Sequence, residues 1–276
     1  MLDIRSALSQ GVQLLDDGAV ASPRLTAEVL LCHALQRERA YLYAHPEEEL
    51  SETAWIHYGR YLHERLSGKP TQYVTRKQEF YGREFRVTPD VLIPRPETEH
   101  LVEAALHRIR PHDVVLDVGA GSGAIAITLA LETQAQVLAC DLSRPALAVA
   151  VENAARLGAV VGWFANDLTS AVATQSIGVL VSNPPYVPGV DAPGLQREVR
   201  DWEPHIALFA GPTGLEIYER LIVDARRVLR PGGWFLSELG YNSLQAVEMM
   251  LEGWQGIEVT HDLAGFPRVI AAQHVT

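Results

Sequence analysis

The chain has 276 residues, 47% hydrophobic and 21% charged, a balance that supports a buried core and excludes disorder as the main state. No apolar run approaches the ~20 residues a bilayer crossing needs, and the acidic start Leu2-Asp3-Ile4-Arg5 lacks the basic region of a leader peptide, so a cytoplasmic protein without membrane association is expected. The 23 basic against 34 acidic side chains leave a net charge of −11, which disfavours a protein that lives on nucleic acid, where neutralised phosphate supplies most of the affinity.

Ile4, Leu8, Val12 and Leu15 recur at spacings of four and three, predicting one face of a helix. Ser22-Pro23 reads as the cap and first-turn proline of a second helix, with Leu25, Val29 and Leu35 inward. Cys32 in this segment and Cys140 further on both sit among apolar residues and are expected to be buried thiols of a reducing compartment. Trp55, Tyr58, Leu62 and Leu66 form a third stripe, ended by Ser67-Gly68-Lys69-Pro70. Residues 1–70 are thus expected to form a small all-α domain. Residues 71–93 switch to extended signals, Gln72-Tyr73-Val74 and then Glu79 to Val87, with a hairpin turning at Tyr81-Gly82. They read as a β-hairpin connector.

From residue 94 to 276 the pattern alternates. Strands are expected at 113–118, 136–141, 160–164, 177–182, 233–239 and 267–273, with helices such as Leu101–Ile109, Ala124–Leu131 and Ala146–Leu157 between them. Such alternation predicts an α/β fold with a doubly wound, mostly parallel sheet.

Two segments carry chemistry. In the first, the strand Val114–Val118 runs into Gly119-Ala120-Gly121-Ser122-Gly123 and then a helix. Glycines at alternate positions let the backbone approach a ligand and present N–H groups at a helix start. The spacing also suits a dinucleotide, so the loop alone leaves NAD open beside another nucleoside. Asp117, two residues before the first glycine, resembles the acid-first motif of class I S-adenosylmethionine-dependent methyltransferases. Asp141 ends the next strand, 24 positions after Asp117, where a carboxylate can accept from both ribose hydroxyls; the lesser alternative is a cap of the helix that follows. Asp167-Leu168 follows the third strand, where this fold meets an adenine ring. The expected cofactor set is Asp117, Gly119, Ala120, Gly121, Ser122, Gly123, Asp141, Asp167, Leu168 and Asn183.

The second segment is Val179-Leu180-Val181-Ser182-Asn183-Pro184-Pro185-Tyr186. The prolines stiffen the loop as it leaves the sheet and leave its carbonyls free. Asn183 Oδ1 and the Pro184 carbonyl can accept both hydrogens of one –NH₂ group, and Tyr186 offers a flat face to a planar substrate. Two acceptors so placed favour the pyramidal nitrogen of a transfer transition state over its planar ground state. Asn183, Pro184 and Tyr186 are the expected catalytic residues, with Pro185 beside them at the substrate; no metal set is expected.

Together these motifs resemble those of methyltransferases acting on planar –NH₂ groups. Phe80-Tyr81-Gly82, then Val91-Leu92-Ile93-Pro94-Arg95-Pro96-Glu97-Thr98-Glu99, resembles the signature of the HemK/PrmC family. The likeness continues at Ser22-Pro23-Arg24-Leu25, Glu203-Pro204, Ala207-Leu208-Phe209-Ala210-Gly211 and Leu229-Arg230-Pro231-Gly232-Gly233-Trp234. The resemblance implies a class I, Rossmann-like methyltransferase domain behind a helical domain that docks the substrate. It implies transfer from S-adenosyl-L-methionine, leaving S-adenosyl-L-homocysteine, to N5 of the glutamine in the Gly-Gly-Gln motif of class I peptide chain release factors. It implies no stable nucleic-acid binding. An adenine-N6 methyltransferase of DNA or RNA is the nearest alternative; a non-catalytic cofactor binder and a NAD-dependent dehydrogenase are weaker ones. One departure stands out: Arg76 occupies a place where the family pattern has glycine.

Overall fold

The computed structural model describes residues 2–275; Met1 and Thr276, the outer ends of the expected 1–70 and 94–276 domains, lie outside the described residues. In chain order the helical segments are α1 (Ile4–Asp17), α2 (Pro23–Leu35), α3 (Arg39–Ala44), α4 (Glu52–Leu66) and α5 (Thr71–Thr75). Then come β1 (Lys77–Phe80), β2 (Arg83–Arg86), α6 (Glu99–Leu106), β3 (Val114–Val118), α7 (Ala124–Glu132), β4 (Gln136–Asp141), α8 (Arg144–Leu157), β5 (Gly162–Ala165) and β6 (Ile177–Ser182). The chain continues through β7 (Val187–Pro188), α9 (Arg197–Trp202), β8 (Phe209–Gly211), α10 (Glu216–Val228), β9 (Leu229–Glu238), α11 (Leu244–Met250), β10 (Gln255–His261) and β11 (Pro267–Gln273). Two compact units result: residues up to Arg76 joined by Gln196–Trp202, and Lys77–Leu195 with Glu203 onward.

In the first unit, α1 starts where the Asp3 carboxylate accepts from the Ser6 N–H at 2.7 Å, a cap that satisfies an otherwise unpaired donor. Ile4 and Leu15 are buried as expected, in one cluster with Leu30, Leu31, Tyr58 and Leu62. On α2 the expected face is wrong: Leu25 is exposed, while Ala27, Leu30 and Leu31 are buried. The true stripe starts on a small alanine, which a search for large apolar residues passes over. Trp55 is likewise partly exposed, and Ala54 and Tyr61 take the inward positions of α4. Glu28 is fully buried and accepts from Arg24, Arg39 and Tyr43. The expected extended stretch at Gln72–Val74 is instead the one-turn helix α5. Pro70 starts it, its carbonyl accepting from Tyr73 and Val74 N–H groups at 3.0 and 3.1 Å, which overrides the strand preference of these side chains. Arg76 ends α5 with φ at 62°, the left-handed conformation that glycine adopts without cost. α9 is held inside this unit by Arg65–Glu198 at 2.6 Å and by Arg197 donating to the Ser67 carbonyl at 2.9 Å.

The second unit opens with the expected hairpin, β1 against β2. Tyr81 and Gly82 both have positive φ, 51° and 69°, the turn whose twist matches a two-residue hairpin. The main sheet has the order β10-β11-β9-β6-β3-β4-β5. Its members β9, β6, β3, β4 and β5 run parallel, and β11 and β10 add antiparallel strands at one side. Central strands are apolar on both faces because helices cover both. Val115, Val179 and Val181 pack with Leu101 of α6 and Ile125 of α7; their neighbours Leu116 and Leu180 pack with Leu221 of α10 and Val247 of α11. This is the methyltransferase fold expected. The carboxyl ends of β3, β4 and β6 meet along one edge, the place where open parallel sheets bind ligands.

Candidate functional site

β3 ends at Val118, and the next two backbone N–H groups, of Gly119 and Ala120, donate to the Cys140 carbonyl at 2.9 and 3.0 Å. The glycine loop is thereby stitched to the end of β4. Gly123 has φ of 82°, and a Cβ built there would stand 2.8 Å from Ile127 Cδ1 and 3.0 Å from the Trp163 ring. Its role is close packing of helix on sheet.

Asp117 lies beneath the loop, fully buried. Its Oδ2 accepts from the Ala126 N–H in the first turn of α7 at 3.1 Å, while Oδ1 is buried without a hydrogen-bond partner. Burial, with the nearby Asp141 charge adding to it, pushes its carboxyl up to about 7. Asp141 sits higher, at the end of β4. Its Oδ2 accepts from Gly121 N–H and its Oδ1 from Ser143 N–H, both at 2.8 Å. Burial raises its carboxyl above the ordinary value against the pull of these bonds. Ser143, not Asp141, caps α8, its Oγ accepting from Ala146 N–H at 3.2 Å. Asp141 therefore braces the glycine loop, with carboxylate lone pairs remaining for a ligand.

A cavity of about 860 Å³, open solvent at its mouth included, runs along these strand ends. Gly119, Gly121, Asp141, Asp167, Leu168, Asn183 and Pro185 line it, as do Asp90 to Leu92, Leu142 and Ile206. Asp167 also pairs with Arg220 at 2.7 Å across the mouth. Asp117, Ala120, Ser122, Gly123, Pro184 and Tyr186 do not line it. Ser122 is buried and its carbonyl accepts from Asn153. Pro184 is buried, and the Tyr186 ring lies against Gly240, where a Cβ would come within 2.8 Å of it. Of the two thiols, Cys140 is buried on the cavity side and Cys32 only partly so.

Asn183 is held from behind. Its Nδ2 donates to Thr98 Oγ1 at 3.2 Å, and Thr98 in turn donates to Glu238 Oε2 at 2.6 Å. Tyr186 donates to Glu238 Oε1 at 3.3 Å. Burial lifts the Glu238 carboxyl to about 7, its bonds to Thr98 and Tyr186 opposing the shift. Among the described residues, no donor reaches Asn183 Oδ1. Sequence reading singled out neither Thr98 nor Glu238, and it missed the role of Glu203, whose carboxylate accepts from Ile93 N–H at 3.2 Å and pairs with Arg95. This last pair secures the segment that covers the cavity at Val91 and Leu92. The signal for it was present: both residues belong to the strings that carry the family likeness.

The residues present fit S-adenosylmethionine. A carboxylate at Asp141 suits ribose hydroxyls, an orphaned buried oxygen on Asp117 lies below the loop, and apolar Leu142 and Leu168 suit a flat base. Among the described residues, no cluster of three metal-ligating side chains occurs.

The chain matches the family model of the PrmC N-terminal domain over residues 6–75 and that of the methyltransferase small domain over 97–197. A release factor glutamine methyltransferase of Koribacter versatilis is 45% identical over 280 residues, covering all of both chains. One from Nitratidesulfovibrio vulgaris is 41% identical, with 98% of this chain and 95% of that one covered. Among solved structures, a methyltransferase from Pyrococcus furiosus superimposes with a TM-score of 0.54 at 18% identity, over 71% of this chain and 91% of that one. The T. thermophilus 16S rRNA N2 G1207 methyltransferase, solved with AdoMet and guanosine, also gives 0.54, at 20% identity over 72% of this chain and 49% of that one. The two structures share the fold.

Proposed function

This chain belongs to the release factor glutamine methyltransferase family, and from that premise we propose that it methylates N5 of the glutamine in the Gly-Gly-Gln motif of class I peptide chain release factors. The observation that carries the reading is Asn183: an amide tethered through Nδ2, with its oxygen unpaired at the wall of the cavity. An amide nitrogen is conjugated and a poor nucleophile. Asn183 Oδ1 accepts one of its hydrogens and holds its lone pair toward the incoming carbon; the Pro184 carbonyl, expected as the second acceptor, belongs to a buried residue outside the cavity lining. S-adenosylmethionine, when bound, supplies an electrophilic sulfonium methyl. Gly119, Gly121, Asp141, Asp167 and Leu168 would hold that cosubstrate along the strand ends, while Asp117, Ala120, Ser122 and Gly123 shape the loop beneath. Positioning is then the main contribution of the protein, and the amide proton leaves to water after transfer. Pro185 and Tyr186 complete the wall and its backing.

The helical unit docks the acceptor protein, the cytoplasm is the place of action, and stable nucleic-acid binding is not expected. No relative and no feature of the site favours the adenine-N6 alternative. No described helix is long and apolar enough to cross a membrane.

Mass spectrometry after incubation with labelled cofactor tests the reading. One methyl on the Gly-Gly-Gln glutamine is expected; methylated adenine in DNA or RNA, with none on the release factor, would reverse it. Asn183→Ala should lower turnover ~10²–10³-fold, the usual cost of one transition-state hydrogen-bond partner. Near-normal turnover in that variant would remove Asn183 from the mechanism.

A further inference from the structure

We propose that Glu238 is a positioning residue for methyl transfer, fixing through Thr98 which end of the Asn183 amide faces the cavity. This rests on the transfer reading above. A carboxylate only accepts, and a threonine hydroxyl has a single hydrogen to give. Because Thr98 gives that hydrogen to Glu238 Oε2, it can only accept from Asn183. The Asn183 side chain must then turn its NH₂ toward Thr98, and Oδ1 is left for the substrate. Were the amide reversed, its NH₂ would face the substrate nitrogen, donor against donor.

The surroundings make Glu238 suited to this. It is 3% exposed at the end of β9, and its backbone is pinned as well. Tyr218 of α10 donates to the Glu238 carbonyl at 2.8 Å and accepts from Gly240 N–H at 3.1 Å. The second carboxylate oxygen takes the Tyr186 hydroxyl, so one side chain holds both the amide and the aromatic of the Asn183–Tyr186 loop. The charged groups facing it are Glu97, before α6, and Arg268 of β11, which also reaches Glu97 and Asp262; Arg95 acts on Tyr186. Protonation of Glu238 releases the constraint: a carboxylic acid can donate to Thr98, which can then donate to Asn183 Oδ1 and reverse the amide. With this carboxyl pushed up to about 7 by burial, turnover should rise with pH through that region and level off above it.

The test uses the full chain, intact release factor and saturating S-adenosylmethionine. Thr98→Ser keeps the hydroxyl and should stay within ~3-fold of wild-type kcat. Thr98→Val keeps the shape alone and should lose ~10–100-fold in kcat, the effect of misplacing one orienting contact, with acceptor KM and cosubstrate affinity unchanged. Glu238→Gln, whose amide can donate to Thr98, should lower kcat and abolish the acidic limb of the pH profile. Wild-type kcat in folded Thr98→Val, or an acidic limb that survives in Glu238→Gln, overturns the proposal. If one variant does not fold, the other decides on its own readout, kcat for Thr98→Val against Thr98→Ser and the acidic limb for Glu238→Gln. Wild-type enzyme that leaves the glutamine unmodified at every pH refutes instead the transfer reading, and this inference with it.

Discussion

Replacing Asp141 with alanine should separate the two things that carboxylate does. Toward the ligand, it is placed to accept from two ribose hydroxyls, and charge-assisted bonds of that kind contribute ~1.5–3 kcal/mol. Their loss weakens S-adenosylmethionine binding by roughly 10–150-fold. Toward the protein, it accepts from Gly121 and Ser143 N–H groups at 2.8 Å. Both donors lose their partner in Asp141→Ala. A buried donor left unpaired costs ~1–3 kcal/mol, and because the cavity admits water the lower figure applies. That corresponds to a fall in Tm of about 2–4 °C per kcal/mol for a domain of this size. Asp141→Asn keeps the volume but offers one oxygen where two backbone donors converge, so it should also lose stability and affinity. Calorimetric titration with S-adenosylmethionine and S-adenosylhomocysteine, paired with thermal unfolding, reads both effects. Unchanged affinity in folded Asp141→Ala would refute the ribose assignment; unchanged Tm would refute the bracing role.

Gly123→Ala should destabilise by about 1–3 kcal/mol, as overpacked interiors do, because its Cβ would press on Ile127 and Trp163 at a φ of 82°; an unchanged Tm would contradict this packing. Asp117 and Glu238 both hold protons up to about 7, while the unfolded chain releases them in the ordinary carboxylate range. Their contribution to stability is therefore largest at acid pH and declines as pH rises toward 7, so Asp117→Asn should flatten that part of the Tm–pH curve. Glu198→Ala should cost about 1–2 kcal/mol, since Arg65, with only 9% of its side chain exposed, loses its carboxylate. Arg65→Met added to it should recover part of the loss, and strict additivity in the cycle would deny the coupling.

Where the sequence was legible, the reason is physical. The strands at 136–141 and 177–182 appear with the expected bounds because each is an apolar run bounded by polar turns. β10 is hard to foresee because it is an edge strand with most of its residues exposed, and its alternation, Ile257-Glu258-Val259-Thr260, is only four residues long. The inward face of α2 was misjudged because alanine carries part of it. Arg76 was anticipated as a departure, and its positive φ explains why glycine would suit the position. Within the site, the glycine loop and Asn183–Tyr186 were readable because each acts as a contiguous string. Thr98 stands in the Val91–Glu99 string, but its link to Glu238 is not legible, because the two are 140 positions apart and only the fold brings them together.

Asp117 and Glu238 are two instances of one solution. Each is a carboxyl at or near the end of a sheet strand, buried where charge is costly and raised to about 7 for that reason. Each lies behind a loop that faces the ligand: Asp117 grips the first turn of α7 below the glycines, and Glu238 holds Thr98 and Tyr186 behind Asn183. Packing alone calls for neither, since an apolar side chain of matching volume would fill the space without the desolvation cost. What leucine cannot do is accept hydrogen bonds in a fixed direction. Loops at strand ends have few backbone partners of their own, so their orientation must come from a rigid acceptor underneath. If stability alone had shaped these positions, apolar substitution would raise Tm and leave transfer intact. The expectation here is a Tm lowered in Glu238→Leu, because the Thr98 and Tyr186 hydroxyls lose their acceptor, joined to a loss of kcat in the fraction that stays folded; wild-type kcat in folded Glu238→Leu would mark a structural carboxylate rather than an orienting one.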